Sequence, residues 1–88
     1  MIEQSITIVN KLGLHARAAA KFVTTSSQFT SNIQVARNGR IVNGKSIMGL
    51  MMLAAAKGTP LTFHLNSSDG TNFKEEMTEL FSSKFQDE

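Results

Sequence analysis

Residues 11–22 place a histidine and an arginine where a helix is predicted to begin. Residues 6–9 form an extended apolar run, residues 10–13 interrupt it, and the alanine-rich sequence that follows favours a helix. His15 is therefore predicted to lie at or beside the N-cap of that helix. The first backbone N–H groups of a helix have no partner inside it and lie at the positive end of its dipole, so they bind anions such as phosphate.

The side chains of His15 and Arg17 add chemistry to this anion-binding position. An isolated imidazole loses its proton at about pH 6.5, so much of it is neutral and nucleophilic at neutral pH. Arg17 is a permanent cation whose forked donors suit phosphate. This combination suggests a histidine that accepts a phosphoryl group. Spacing alone favours a plainer alternative, a surface histidine before an ordinary helix, because a single H-x-R pair is common by chance.

The composition limits the possible classes of protein. We expect the 88 residues to form a single domain, 1–88, with no room for separate nucleotide and substrate domains. A net charge of +2 is too small to argue for nucleic-acid binding. The absence of cysteine excludes disulfides and cysteine-ligated metals. Because we find no signal peptide and no long apolar run, we expect a cytoplasmic protein without membrane insertion.

The hydrophobic pattern predicts four strands and three helices in the order β-α-β-β-α-β-α. Asn38-Gly39 is a strong signal for a hairpin, which requires an antiparallel pair of strands. Strands with one polar face suggest a single sheet with helices on one side, an α/β two-layer sandwich. The predicted strands cover residues 1–9, 32–37, 40–43 and 59–65, and the predicted helices cover residues 16–27, 47–56 and 70–84.

The ends and inner faces of the helices are also predicted. We expect Ser46 to cap the second helix, Gly58 to follow its C-terminal end beside Lys57, and Asp69 to cap the last helix. Phe85 is expected to extend the apolar face of the last helix. The core-facing residues expected on the first and last helices are Ala19, Phe22, Val23, Ser26, Phe73, Met77, Leu80 and Phe81.

The second helix carries too many apolar residues for one buried stripe. One interpretation is a core helix in which methionine fills gaps, and the other is an exposed, plastic docking patch. We predict a mixture. The residues expected inward are Ile47 or Leu50 with Leu53 and Ala54, and those expected partly outward are Met48, Met51 and Met52.

Two further patterns are given no chemical role. Residues 39–46 match G-x-x-x-x-G-K-S, but the β-branched pair Ile41-Val42 suits a hairpin strand better than a phosphate-binding loop. His64 alternates with core residues of a strand and is expected on the polar face. Two histidines without a nearby carboxylate cluster argue against a metal site, so we assign no metal ligands.

Residues 10–17 (NKLGLHAR), 43–50 (NGKSIMGL) and 56–58 (AKG) resemble the HPr family of histidine-containing phosphocarriers of the bacterial phosphoenolpyruvate-dependent phosphotransferase system. The resemblance covers essentially the whole chain and rests on separate motifs in the right order. It implies an α+β fold, an open-faced β-sandwich of four antiparallel strands covered by three helices on one face. It also outweighs the plainer interpretation of His15.

The resemblance further implies that His15 takes a phosphoryl group from the phosphohistidine of enzyme I and passes it to an EIIA protein or domain. It implies that Arg17 helps to neutralise the phosphate and that Ser46 is a regulatory site for HPr kinase/phosphorylase, where that enzyme is present. The residues implied for partner docking are Ile47, Met48 and Met51. The chain would be a monomeric carrier rather than an enzyme, without a cofactor, and its partners would complete the catalysis.

Ala18 departs from the family, which usually has proline at this position of the first helical turn. We expect His15 to remain active, with an altered preference among partners. Three alternatives stay open: an NPr-type carrier of the nitrogen-related branch, an interaction domain that keeps the fold without phosphoryl transfer, and a small nucleic-acid-binding domain. The last would need a basic face with exposed aromatic rings, whereas the phenylalanines here fall mostly on core-facing stripes.

Overall fold

An antiparallel four-stranded sheet lies beneath three helices. The computed structural model describes residues 2–53 and 55–86. The strands are β1 (Ile2–Thr7), β2 (Gln34–Arg37), β3 (Arg40–Asn43) and β4 (Pro60–Leu65), in the spatial order β1-β4-β2-β3. The helices are α1 (Ala16–Ser26), α2 (Ile47–Met52) and α3 (Gly70–Ser82), with 3-10 turns at Ser67–Asp69 and Lys84–Gln86. Within the described ranges, no helix has the length and apolar character needed to cross a membrane.

The central strand β4 supplies the floor of the core. Its residues alternate between buried and partly exposed, and Leu61, Phe63 and Leu65 are fully buried. Because side chains of a strand alternate between its two faces, these three point to the face that the helices cover. Antiparallel pairing of β4 with β1 and β2 completes the predicted open-faced sandwich, which is confirmed.

The predicted hairpin joins β2 to β3. Asn38 and Gly39 both have positive φ, 49° and 81°, which is the backbone that a two-residue type I′ turn requires. Val35 pairs with Val42 in the register that follows. Residues 40–43 are therefore a regular strand, and this part of the G-x-x-x-x-G-K-S match has none of the irregular backbone of a phosphate-binding loop.

The buried faces of α1 and α3 follow the predicted stripes closely. The aromatic rings pack in contact, with Phe22 and Phe63 stacked at 5.8 Å between centroids and Phe63 and Phe73 edge-to-face at 5.5 Å. Phe85 is fully buried against Phe81 at 4.9 Å, so it extends the core beyond α3 as expected. The fully buried residues on the two helices are Ala18, Ala19, Phe22, Ser26, Gly70, Phe73, Met77 and Phe81, with Val23 and Leu80 partly buried.

The prediction for the end of α2 was wrong. The helix ends at Met52 rather than at residue 56, so Gly58 does not follow a helix end. Beyond it, the backbone turns to tertiary partners: the carbonyl of Ala55 accepts from the N–H of Leu14 at 2.8 Å, and the N–H of Gly58 donates to Ile8 at 2.7 Å. Ala54, predicted to point inward, lies outside the described residues.

Asp69 lies at the N-cap position of α3 as predicted, but its side chain does not cap the helix. Its carboxylate accepts hydrogen bonds from the backbone N–H and the hydroxyl of Ser31, in the segment that follows α1. The expected local cap is thus replaced by a link between two distant segments of the chain.

Replacing Asp69 with alanine is expected to lower the free energy of unfolding by about 2 kcal/mol, because two donors of Ser31 lose a charged acceptor. Urea unfolding of Asp69→Ala, Ser31→Ala and the double variant measures this. The double variant should lose less than the sum of the two single losses, since both single variants remove the bond from the Ser31 hydroxyl to Asp69. Strictly additive losses would show that this hydroxyl bond does not stabilise the fold.

Candidate functional site

His15 stands at the N-cap of α1, where the sequence predicts it. Its backbone is extended (φ −77°, ψ 179°), and its carbonyl accepts the first intrahelical hydrogen bond, from Ala19, at 2.8 Å. The half-buried imidazole does not cap the helix, and the first turn contains no acidic residue. The N–H groups of the first turn therefore remain oriented toward the end of the helix where an anion can approach.

The loop before His15 is fixed by contacts on both sides. Asn10 is fully buried, and its side-chain Nδ2 donates to the carbonyl of Gly13 at 2.7 Å while the N–H of Gly13 donates to the carbonyl of Asn10 at 3.2 Å. Leu14 is buried and bonded through its N–H to Ala55. The position of His15 is thus set by a closed turn and by an anchor to the segment after α2.

Asn10 is a positioning residue that the sequence reasoning did not single out. The available signal was an asparagine directly after an apolar run, since asparagine side chains commonly close turns by bonding to nearby backbone. Its complete burial and its bond to Gly13 become visible only in three dimensions.

Arg17 and Ala18 occupy the first turn of α1. Arg17 is exposed at the second helical position, and Ala18 is fully buried at the third. Since alanine retains the backbone N–H that proline lacks, Ala18 adds one donor to the anion-binding end of the helix. His15 and Arg17 are therefore brought to the same end of α1 as predicted.

Ser46 lies away from His15. The hydroxyl of Ser26, at the C-terminal end of α1, donates to the carbonyl of Gly44 at 2.6 Å, so the segment leading into α2 meets the far end of α1. At the near end, Leu14 bonds to Ala55, which follows α2. The two helices are therefore antiparallel, and Ser46, which precedes α2, lies toward the end of α1 that is opposite His15.

Ser46 caps α2 as predicted. Its hydroxyl oxygen accepts a hydrogen bond from the N–H of Gly49 at 3.0 Å, and its backbone is extended. The side chain is only partly buried. Ser46 therefore has a structural role that a modification of its hydroxyl would alter.

The apolar residues of α2 divide between the core and the surface. Leu50 and Leu53 are buried, which resolves the predicted choice between Ile47 and Leu50 in favour of Leu50. The exposed members, which we call the α2 patch, are Ile47 (41%), Met48 (75%), Met51 (43%) and Met52 (62%). Because α1 and α2 are antiparallel, the C-terminal end of this patch lies toward the His15 end of α1.

His64 lies on the face of the sheet opposite the helices. Its Nε2 is 2.9 Å from a carboxylate oxygen of Glu3, directly across the β1–β4 pair. This is a cross-strand pair of the polar face. Across residues 2–53 and 55–86, no three histidine, aspartate or glutamate side chains are grouped so that they could hold a metal ion.

The chain is similar to phosphocarrier proteins over nearly its whole length. Residues 2–83 match the family model described as "PTS HPr component phosphorylation site". The chain is 53% identical over 85 residues to the phosphocarrier protein HPr of Neisseria meningitidis serogroup B, covering 97% of this chain and 96% of that protein.

Two solved structures from Thermoanaerobacter tengcongensis, each 42% identical, also match. The crystal structure of its HPr-C-His has a TM-score of 0.89 and covers 100% of this chain and 99% of that one. The crystal structure of its HPr dimer has a TM-score of 0.72 and covers 97% and 98%.

Proposed function

The chain belongs to the HPr family and is a phosphocarrier of the phosphotransferase system, and from this premise we propose that His15 is the residue that carries the phosphoryl group. The observation that supports the proposal is the place of His15 at the start of α1, where its imidazole makes no hydrogen bond that caps the helix. Arg17 lies in the same first turn and supplies positive charge for the incoming dianion.

The proposed step is an exchange of one N–P bond for another. A neutral imidazole nitrogen of His15 attacks the phosphorus of the donor's phosphohistidine, whose other ring nitrogen carries a proton. The bond to the donor nitrogen breaks and its electron pair stays on that nitrogen, so the donor leaves as a neutral imidazole. The second nitrogen of His15 keeps its proton. The first-turn N–H groups and Arg17 stabilise the charge on the phosphoryl oxygens throughout. The onward transfer of the phosphoryl group from His15 to an acceptor uses the same groups.

We propose enzyme I as the donor and an EIIA protein or domain as the acceptor. Partners of both kinds would dock on the α2 patch, within which Ile47, Met48 and Met51 are the proposed contact residues. Exposed methionines suit this role because their flexible side chains repack against different partners. In this proposal the chain is not itself an enzyme, and each partner completes the environment of the transition state.

Ser46 is the proposed regulatory phosphorylation site, for an HPr kinase/phosphorylase where one is present. A phosphate there would lie at the N-terminus of α2, where the helix dipole tolerates it, but would place about two negative charges beside the α2 patch. Because Ser46 lies toward the end of α1 that is opposite His15, the effect would fall on docking rather than on the chemistry of the imidazole.

Three broader features belong to the same proposal. Residues 1–88 act as one domain, the carrier works in the cytoplasm, and it is a monomer. The HPr dimer solved for Thermoanaerobacter tengcongensis makes the last point worth measuring. Light scattering of the intact chain at several concentrations separates a monomer from a dimer.

A reconstituted transfer tests the proposed function. Enzyme I, magnesium, labelled phosphoenolpyruvate and an EIIA acceptor are combined with and without the chain. The label should reach EIIA only when the chain is present. If the chain is never labelled, or is labelled but never passes the label on, the proposed carrier role between these partners is wrong.

The docking role of the α2 patch predicts the behaviour of Met48→Asp. Met48 is 75% exposed, so the substitution should leave stability nearly unchanged, whereas a carboxylate at a buried apolar contact should raise the KM for the chain as a substrate of enzyme I about tenfold. Initial rates of phosphorylation measure KM and kcat separately.

Ile41→Asp is the matched control, since Ile41 is 57% exposed on β3 and points to the sheet face opposite that of its neighbour Val42, which is partly buried against the core. Its KM should equal that of the wild type. If Met48→Asp and Ile41→Asp raised KM equally, the argument for docking on α2 would be lost.

A further inference from the structure

The α2 helix is too short to be stable through its own hydrogen bonds. It has six residues, whereas isolated helices shorter than about 12 residues are marginal in water. Gly49 in its interior lowers its helix propensity further. Ser46 caps its N-terminus, but its last turn contains no basic residue. Its C-cap, Leu53, has right-handed helical backbone rather than the left-handed conformation common at helix ends. Other parts of the chain must therefore hold its C-terminal end.

Two arginines of the β2–β3 hairpin bind that end. Nη1 of Arg37 donates to the carbonyl of Leu53 at 2.6 Å, and Nη1 of Arg40 donates to the carbonyl of Met52 at 2.9 Å. Arg37 and Arg40 face each other as the pair next to the turn, so one hairpin delivers both guanidinium groups. Cations at the negative end of a helix stabilise it, and bonds from charged donors are stronger than neutral ones.

The burial of Arg37 indicates that this contact is its main role. Its side chain is partly buried, and its Nε is buried without a hydrogen-bond partner in the part of the chain that the structure describes. An arginine that served only as surface charge would keep this nitrogen in water. The guanidinium of Arg37 is thus partly desolvated where it bonds to the end of α2.

We propose that Arg37 and Arg40 are positioning residues that hold the C-terminal turn of α2 and so fix Met51 and Met52 for partner docking. The inference rests on the proposed docking function of the α2 patch. Without the two guanidinium groups, the carbonyls of residues 52 and 53 lose their charged donors and the last turn of the helix opens more often. A partner then has to order this turn as it binds, which weakens docking without changing the reaction at His15.

The test compares Arg37→Met/Arg40→Met with a charge-matched control, Lys57→Met/Lys74→Met. Methionine keeps an unbranched apolar stem but removes the donors and the charge. Lys57 and Lys74 are exposed and lie outside both α2 and the β2–β3 hairpin, so the control loses two positive charges while both arginine bonds to α2 stay in place. Arg37→Lys/Arg40→Lys, which keeps both charges but not the forked donors, separates charge from hydrogen-bond geometry.

The first measurement is amide hydrogen exchange on the isolated chain, followed at the N–H of Leu53, which bonds to Leu50 within α2. We expect exchange about tenfold faster in the arginine-to-methionine variant, unchanged exchange in the lysine control, and unchanged exchange at β4 in both, which shows that the fold is intact. The second measurement is steady-state phosphorylation by enzyme I, where the same variant should have a KM about tenfold higher and an unchanged kcat.

Unchanged exchange at Leu53 would overturn the proposal, as would faster exchange with an unchanged KM. An equal rise in KM for the lysine control would also overturn it, because general charge attraction would then explain the effect. If Arg37→Lys/Arg40→Lys behaves like the wild type in both measurements, positive charge alone holds the end of α2 and the forked donors of arginine are not required. Failure of the wild type to accept phosphate would instead reject the proposed function, and the exchange result would still stand on its own.

Discussion

His15→Ala should accept no phosphoryl group from enzyme I, while folding as the wild type does. The substitution removes the only proposed nucleophile, and no rearrangement of the first turn of α1 replaces it, because Arg17 has no nucleophilic lone pair at neutral pH. The His15 side chain does not cap α1, so its loss should change the free energy of unfolding by less than about 1 kcal/mol. Intact mass after incubation with enzyme I, magnesium and phosphoenolpyruvate measures acceptance.

His64→Ala is the matched control for this variant. His64 is the other histidine of the chain, partly buried on the opposite face of the sheet and paired with Glu3. The His64→Ala variant should be phosphorylated at the wild-type rate. If His15→Ala were phosphorylated and His64→Ala were not, the phosphorylation site would be His64, which would contradict the proposed function.

Gly13→Ala, which adds one methyl group in the loop before His15, should lower the free energy of unfolding by about 3 kcal/mol or more. Gly13 has a φ of 67°, and a Cβ there would collide with the carbonyl oxygen of Ala55 and lie 2.9 Å from the Cα of Ala56. Both contacts are with backbone, so no side-chain rotation relieves them. The loop must move, the Leu14–Ala55 hydrogen bond must break, and His15 leaves its position at the start of α1.

Gly39→Ala separates the steric effect from the backbone effect. Gly39 also has a positive φ, 81°, but nothing lies within 4 Å of a Cβ built on it. Its variant should therefore lose only about 1 kcal/mol and keep full phosphoryl acceptance, whereas Gly13→Ala should lose both stability and acceptance. Urea unfolding and initial phosphorylation rates measure the two effects. Equal losses in the two variants would show that contact with the segment after α2 does not hold the His15 loop.

Much of the fold was predictable because local physics determines it. The Asn38-Gly39 turn, the alternation along β4 and the inner stripes of α1 and α3 each follow from backbone geometry or from apolar periodicity over a few residues. The same holds for His15, whose place at the N-cap follows from the break in the apolar run and from the helix formers after it.

The incorrect predictions concern groups whose partners are distant in sequence. The pattern after Met52 favours a longer helix, but the carbonyl of Ala55 is taken by the loop before His15. Asp69 has the sequence position of a cap, but its carboxylate binds Ser31. Such long-range partners leave no local signal, so tertiary contacts override propensity there.

Mapping the phosphate on the wild-type chain tests the central claim most directly. The chain is phosphorylated with enzyme I and phosphoenolpyruvate, digested at alkaline pH and analysed by mass spectrometry. We predict one phosphoryl group, located on the imidazole of His15 and lost on acidification. A stoichiometric phosphate on any other residue, or none with an active enzyme I, would contradict the account of α1 as the phosphoryl-accepting site.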